Sequence, residues 1–198
     1  MNIKLIRYGL WAVVAALCLF LTAVYGFGTL KPGSSGVAQE LGAPFSLVDQ
    51  DGKPITEKAL VGHPSVLFFG FTHCPDVCPT TLYELSGLLK KLGDEGKDLR
   101  AFFITVDPER DTPDIMKAYT GNFTDRITGI TGDPAEIAKL IKGWKVYARK
   151  VPLEDGGYTM DHTASVFLLD RDGRFKGTIA YRENSDAALE KLKRLVAG

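Results

Sequence analysis

The sequence predicts an α/β domain that follows a single N-terminal transmembrane helix. A long uncharged segment occupies residues 8–30, and from residue 41 onward apolar runs typical of buried strands alternate with patterns typical of helices. The composition agrees, because 45% of the 198 residues are hydrophobic and 24% are charged, as in an ordinary globular domain.

Residues 8–30 are long enough to span a bilayer. As a helix this segment would reach about 34 Å, and the hydrocarbon core of a membrane is about 30 Å thick. Lys4 and Arg7 precede it, which predicts a cytoplasmic tail at residues 1–7 and places the rest of the chain across the membrane. A cleaved signal peptide is the alternative, but its apolar region usually spans only about 7–15 residues. An uncleaved anchor is therefore favoured.

The folded domain is predicted at residues 41–198, after a flexible linker at 31–40 that contains Pro, Gly and Ser. Within 45–56 an Asp-Gly turn joins two short apolar runs, which predicts a β-hairpin. The nearly continuous apolar run at 65–71 predicts a central strand covered on both faces. Leucines recur at helical spacing over 80–92, which predicts the first helix of the domain.

The remaining sequence continues the alternation. Further strands are predicted at 100–106 and 127–131, helices at 113–119, 134–144 and 185–196, and a hairpin with strands at 164–169 and 174–180. A strand–helix–strand half followed by a hairpin and a closing helix is the thioredoxin-like arrangement, here with insertions. The long segment at 145–160 contains Pro and Gly and is interpreted as a mobile surface arm.

Helix caps are predicted from side chains that accept hydrogen bonds from backbone N–H groups. Asp111 or Thr112 is expected to cap the helix at 113–119, and Ser185 or Asp186 the terminal helix. The acidic groups of the segment that contains Asp111 are also expected to border the functional site.

Cys74 and Cys78 are the two cysteines outside the N-terminal segment. They lie where a central strand gives way to a helix, and there the helix dipole and outward N–H groups stabilise a thiolate. Three residues separate them, whereas the redox motif of thioredoxins has two between its cysteines. On a helix this spacing places both sulfurs on one face. The pair can therefore chelate a metal or close a disulfide.

His162 is the third candidate, because it directly precedes the predicted strand at 164–169. In a thioredoxin-like fold the loop before that strand lies beside the loop that carries the cysteines. Two thiolates and one imidazole suit copper better than oxygen-seeking metals. Zinc is disfavoured because structural zinc sites usually have four ligands. His73 is a spare candidate, but side chains of adjacent residues at a strand end point in opposite directions.

The chain resembles the Sco/SenC family in three motifs that occur in the family's order. They are FGFTHCPDVCPT at 69–80, VDPERDT at 106–112 and DHT at 161–163. The resemblance implies a membrane-anchored, thioredoxin-like copper chaperone that binds Cu(I) or Cu(II) through Cys74, Cys78 and His162. It implies delivery of the copper to the CuA centre in subunit II of cytochrome c oxidase.

The resemblance also implies a location and partners. The expected place is the bacterial inner membrane, with the domain facing the periplasm, because no Arg- and Ser-rich transit peptide precedes the segment. Other periplasmic copper chaperones and thiol reductants are expected partners. No catalytic residue is implied, so a metallochaperone is expected rather than an enzyme.

An extracytoplasmic thiol–disulfide oxidoreductase, thiol peroxidase or redox sensor is the alternative. The segment 77–80 resembles part of a peroxiredoxin active site, with Cys78 as the attacking thiolate and Cys74 as the resolving thiol. However, Pro75 stands where peroxiredoxins have a threonine. A purely structural disulfide between the two cysteines is a further alternative.

Nucleic acid is not an expected partner. The first 31 residues carry three basic residues and no acidic one, which leaves 21 Lys and Arg against 24 Asp and Glu in the rest. A surface that follows a phosphate backbone needs an excess of basic residues.

Overall fold

The computed structural model describes residues 3–28, 41–154 and 156–198. The chain divides into an N-terminal unit at 1–39 and a second unit at 40–198. Helix α1 (Ile3–Gly28) belongs to the N-terminal unit. Among the described residues, no helix is long and apolar enough to cross a membrane. The predicted anchor at 8–30 is thus not confirmed, and the predicted linker at 31–40 lies outside the described residues.

Nine strands are described in the second unit. In chain order they are β1 (Ser46–Asp49), β2 (Pro54–Thr56), β3 (Ser65–Gly70), β4 (Arg100–Thr105), β5 (Ile127–Thr131), β6 (Ala148–Pro152), β7 (Tyr158–His162), β8 (Val166–Leu169) and β9 (Phe175–Ile179). Seven of them form one mixed sheet in the order β2-β1-β5-β4-β3-β8-β9. In it β3, β4 and β5 are parallel, while β1, β8 and β9 pair antiparallel with their neighbours. The other two, β6 and β7, pair with each other.

Four helices complete this unit, and their bounds are α2 (Val77–Leu92), α3 (Pro113–Gly121), α4 (Pro134–Gly143) and α5 (Ser185–Ala197). The succession of β3, α2 and β4, then the β8–β9 hairpin and α5, is the predicted thioredoxin-like order. The predicted α/β class is therefore confirmed.

Strand β3 lies at the centre of the core, and all of its residues are buried. It pairs with β4 on one side and with β8 on the other. This double pairing, with apolar packing on both faces, explains why its sequence is a continuous apolar run rather than an alternating one. Its carboxyl end is held rigidly as a result, and the loop that carries Cys74 begins there.

The segment 145–160 is not an irregular surface loop, because most of it forms an antiparallel hairpin with strands β6 and β7. Its mobility stays a prediction. His162 ends β7 and pairs with Ala148 of β6. Both strands are half-exposed and lack a regular apolar alternation. For this reason the period that identifies a strand from its sequence is missing.

The helix starts differ in detail from the predictions. Thr112 caps α3, which confirms one of the two alternatives that the sequence predicted for this helix. The cap of α5 is Asn184, whose side chain accepts hydrogen bonds from two backbone N–H groups, so the prediction of Ser185 or Asp186 was wrong. Helix α2 begins at Val77, three residues before the predicted start, so its first turn includes Cys78.

Candidate metal centre

Three elements bring the predicted ligands together at one end of the sheet. Cys74 lies in the loop between β3 and α2, Cys78 in the first turn of α2, and His162 at the end of β7. Their ligand atoms all lie within 4.8 Å of one another. Both cysteines are free thiols in this structure. The geometry suits a single small metal ion held by two sulfurs and one ring nitrogen.

The three side chains differ in exposure. Cys78 is fully buried, at 0% exposure, while Cys74 and His162 are partly exposed. Cys74 Sγ accepts a hydrogen bond from the backbone N–H of Cys78 at 3.4 Å, and His162 Nε2 lies 3.4 Å from Cys78 Sγ. A metal-binding side chain of another molecule would therefore contact Cys74 or His162 before it contacts Cys78.

The ring of His162 is oriented by its surroundings. Its Nδ1 lies 3.0 Å from the carbonyl oxygen of Thr163, and because a carbonyl oxygen accepts, Nδ1 carries the proton of this hydrogen bond. In the neutral ring the lone pair is then on Nε2, the nitrogen that faces Cys78. The rings of Phe68 and Phe71 pack edge-on against the imidazole, with centroids 6.1 and 5.8 Å away. The ring thus presents its unprotonated nitrogen to the thiols.

The pKa values of the two thiols are shifted in opposite directions. The pKa of Cys74 is lowered to about 4, mainly because its sulfur accepts a hydrogen bond from the Cys78 thiol, and further because it accepts from the backbone N–H of Cys78. The pKa of Cys78 is raised, because its thiol donates to Cys74 and because it is buried. At neutral pH Cys74 is therefore the thiolate. This argues against a peroxidase in which Cys78 is the attacking thiolate.

Alkylation should report the low pKa of Cys74 directly. Because Cys74 remains a thiolate well below neutral pH, its rate of reaction with iodoacetamide should change less than about threefold between pH 5.5 and 8. An ordinary thiol such as glutathione loses about tenfold per pH unit below its pKa of about 8.5. Peptide mass spectrometry of the reduced protein, followed against time, measures the rate at Cys74. A tenfold fall in the alkylation rate of Cys74 per pH unit would contradict the assignment of Cys74 as the thiolate.

Gly70 allows α2 to approach the end of β3. A Cβ atom at this position would lie 2.7 Å from Cys78 Sγ and 2.7 Å from a ring carbon of Phe103. Contacts this short force a neighbour to move, and both neighbours are buried. The absence of a side chain at Gly70 is thus what allows the Cys78 sulfur to occupy its place in the site.

Replacing Gly70 with alanine should displace Cys78 and damage the site. We expect the free energy of unfolding to fall by about 1–3 kcal/mol, with a parallel loss of copper affinity. Gly87→Ala is the matched control, since Gly87 is exposed on α2 and a Cβ there meets nothing within 4 Å. That change should stabilise the helix by about 0.5–1 kcal/mol. Urea denaturation of both variants measures the change in the free energy of unfolding. Equal changes in the two variants would contradict the claim that Gly70 is needed for the close approach of Cys78.

Asp111 organises the loop that precedes Cys74 through hydrogen bonds that the sequence did not indicate. Its carboxylate is fully buried and accepts hydrogen bonds from the hydroxyl groups of Thr72 and Thr105, both at 2.6 Å. It also accepts from the backbone N–H of Thr72. Asp111 does not cap α3, which was the other predicted alternative. Its contacts with Thr72, two residues before Cys74, place it at the border of the site, as expected for this segment. The signal available in the sequence was its place in the 106–112 motif.

His73 is the spare ligand candidate, and the structure separates it from the group of Cys74, Cys78 and His162. Its Nδ1 lies 3.1 Å from Thr72 Oγ1 and 3.8 Å from a carboxylate oxygen of Asp111. The backbone at 71–74 forms a turn, in which the N–H of Cys74 donates to the carbonyl oxygen of Phe71, and His73 and Cys74 have different surroundings.

Comparison with known proteins decides the family. A family model described as SCO1/SenC matches residues 34–197. The chain belongs to the SCO1/SenC family. The resemblance in the three sequence motifs is thereby confirmed, and the match includes Cys74, Cys78 and His162.

Relatives of known sequence are found in mitochondria and bacteria. The "Protein SCO1 homolog 1, mitochondrial" of Arabidopsis thaliana is 40% identical over 147 residues, which are 74% of this chain and 44% of that protein. The "Protein SCO2, mitochondrial" of Saccharomyces cerevisiae is 34% identical over 206 positions, covering 96% of this chain and 68% of that protein. The chain thus spans less than half the length of the Arabidopsis relative.

Solved structures of SCO1/SenC relatives have the same fold. ScoI of Bradyrhizobium japonicum, solved with copper bound, is 52% identical with a TM-score of 0.73, covering 78% of this chain and 99% of that one. BsSco is 29% identical with a TM-score of 0.63, covering 80% of this chain and 94% of that one. It is described as a member of the Sco family of cytochrome c oxidase assembly proteins with a disulfide switch.

Proposed function

We propose that this SCO1/SenC protein is a copper chaperone. Cys74, Cys78 and His162 bind one copper ion, and the protein delivers it to the CuA site in subunit II of cytochrome c oxidase. The observation that carries the proposal is the convergence of these three ligand atoms to within 4.8 Å. The copper-bound structure of its relative from Bradyrhizobium japonicum supports the choice of metal.

The donor set suits copper on chemical grounds. Thiolates are soft ligands that favour Cu(I), and an imidazole nitrogen binds both Cu(I) and Cu(II). Cys74 is already a thiolate at neutral pH, because its pKa is lowered to about 4. The buried Cys78 has a raised pKa and must lose its proton on binding. Copper loading should therefore release about one proton per protein at neutral pH.

The unequal exposure of the ligands supports delivery rather than permanent storage. Ligands from a partner can replace Cys74 and His162, which reach the surface, while Cys78 still holds the metal from its buried position. Stepwise exchange avoids release of free copper. The proposed setting is the periplasmic face of a bacterial inner membrane, with residues 8–30 as anchor, 31–40 as linker, and thiol reductants that keep the pair reduced.

Transfer to a recipient domain tests this function. The protein loaded with Cu(I) is mixed anaerobically with the reduced, copper-free CuA domain of subunit II. The domain is then separated and oxidised by one electron per two coppers with ferricyanide, and its CuA absorption bands are measured. We expect transfer from the wild type. When both proteins are loaded in the same Cu(I) buffer, His162→Ala, which holds copper through two ligands only, should carry and deliver at least about tenfold less copper. No CuA formation from the loaded wild type would contradict delivery.

A thiol–disulfide oxidoreductase is the second candidate, favoured by the exposed, low-pKa thiol of Cys74 beside the buried thiol of Cys78. Such an enzyme would reduce the oxidised cysteine pair of the CuA domain without copper. His162→Ala separates the two functions, because disulfide exchange does not need the imidazole. Unchanged disulfide reduction together with unchanged copper transfer in that variant would favour the oxidoreductase.

A further inference from the structure

The hairpin that carries His162 has no strand partner in the main sheet. Strands β6 and β7 form a two-stranded sheet of their own, and an isolated pair of strands is only marginally stable in water. His162 ends β7, so its position relative to the thiols depends on whatever fixes this hairpin. Contacts outside the hairpin must therefore supply the rigidity that a metal ligand needs.

Tyr158, the first residue of β7, is held by the segment that follows β4. Its hydroxyl donates a hydrogen bond to Asp107 Oδ1 at 2.8 Å, and its carbonyl oxygen accepts one from Arg110 Nη1 at 3.0 Å. The guanidinium carbon of Arg110 also lies 3.8 Å from the centre of the Tyr158 ring. A second hydrogen bond joins the hairpin to the segment after β4, because Lys150 of β6 donates to a carboxylate oxygen of Glu109 at 2.6 Å. The hairpin is thus attached at both strands.

Asp107 and Arg110 are themselves fixed to the core. Asp107 is buried, at 1% exposure, and its backbone N–H donates to Thr105 Oγ1 at 2.8 Å. Arg110 Nε donates to Asp107 Oδ2. These two charged side chains therefore form a rigid support between β4 and the hairpin.

Arg110 is also linked to His162 through the ring of Phe71. Its guanidinium carbon lies 5.9 Å from the centre of the Phe71 ring, and Phe71 packs edge-on against the imidazole of His162. Arg110 Nη2 is buried and has no hydrogen-bond partner among the described residues. The Arg110 side chain as a whole is part-buried, at 25% exposure, and it lies between the rings of Tyr158 and Phe71. This place between the hairpin and the ring that packs on His162 points to a role at the site.

We propose that Asp107 and Arg110 are positioning residues that hold the β6–β7 hairpin, through Tyr158 and Phe71, where His162 reaches the two thiols. This inference rests on the proposed function, because it concerns the third copper ligand. The two residues do not touch the metal. They decide whether the imidazole is present when the metal binds, while the two thiols are placed independently by β3 and α2.

A double-mutant cycle tests the proposal. Tyr158→Phe removes only the hydroxyl group, and Arg110→Met removes the guanidinium; each should lower Cu(I) affinity about tenfold in the wild-type background. In the His162→Ala background each should change affinity less than about twofold, because the ligand they position is gone. Tyr147→Phe is the matched control, since Tyr147 lies directly before β6 and is 53% exposed. It should leave the affinity unchanged.

Two further measurements separate positioning from general destabilisation. In the Cu(II)-loaded protein, the spin-echo modulation from the remote nitrogen of a bound imidazole should weaken in Tyr158→Phe and stay unchanged in Tyr147→Phe. In the metal-free protein, hydrogen exchange of the Thr159 amide should accelerate at least about tenfold in Tyr158→Phe, because the ladder bonds Leu153–Gly157 and Tyr147–Thr163 place Thr159 in a hydrogen-bonded pair with Val151. Exchange within β3 should not change, because that strand does not depend on the hairpin.

The outcomes are distinct. Equal losses of affinity in both backgrounds, or unchanged exchange in β7, would overturn the positioning role of Asp107 and Arg110. A wild type whose copper affinity does not depend on His162 would instead overturn the proposed function. In that case the hydrogen-exchange result still shows whether Tyr158 fixes the hairpin.

Discussion

Replacing Cys78 with serine should lower the affinity for Cu(I) by about three orders of magnitude, equivalent to about 4 kcal/mol. A hydroxyl group is a hard, weakly acidic ligand and does not replace a thiolate on Cu(I). Cys78 also donates the hydrogen bond that lowers the pKa of Cys74, so the substitution alters both sulfur ligands. Anaerobic competition against a chromophoric Cu(I) chelator measures the affinity.

Cys18→Ser provides the matched control for this experiment. Cys18 lies on α1 in the N-terminal unit and is exposed. Its replacement changes the same atom in the same full-length chain and should leave copper affinity unchanged. A Cys78→Ser affinity within about tenfold of the wild type would contradict the assignment of Cys78 as a ligand.

Oxidation of Cys74 and Cys78 to a disulfide should abolish copper binding. Because Cys74 is already a thiolate at neutral pH, forming the bridge removes one proton and two electrons from the pair, and diamide accepts the electrons. Neither sulfur then remains as a thiolate ligand. One imidazole from His162 is then left, which is too few donors to hold Cu(I) against a chelator. Equilibrium dialysis after treatment with diamide, with the bridge verified by mass, should give less than about 0.1 copper per protein.

Reversal provides the control for oxidation. Reduction with a phosphine, followed by its removal, should restore one copper per protein. Undiminished binding to the fully bridged protein would show that the metal is held elsewhere. Because the result depends on thiol state, the protein in its proposed setting would need a thiol reductant outside the cytoplasm.

Much of the fold could be predicted because its strongest patterns are local. The continuous apolar run of β3 follows from burial on both faces, and the leucine spacing of α2 follows from one buried helix face. The approach of His162 to the cysteines was predicted from topology, since the loop before β8 lies beside the loop after β3. Local pattern and chain order together thus located the site.

The support around the site could not be predicted, because it depends on contacts between residues distant in sequence. Asp111 accepts hydrogen bonds from Thr72, which lies 39 positions away, and Tyr158 donates to Asp107 across 51 positions. The β6–β7 hairpin has no apolar alternation, because its strands are half-exposed on both faces. The 106–112 motif marked this region in the sequence without showing what it contacts.

The measurement that tests the central claim most directly is an anaerobic Cu(I) titration of the reduced wild type and His162→Ala against a competing chelator. The account predicts one tightly bound copper in the wild type and an affinity about a hundredfold lower in His162→Ala, since one of three ligands is removed. The disulfide-exchange rate of His162→Ala should equal that of the wild type. A His162→Ala variant that binds copper as tightly as the wild type would contradict the three-ligand site.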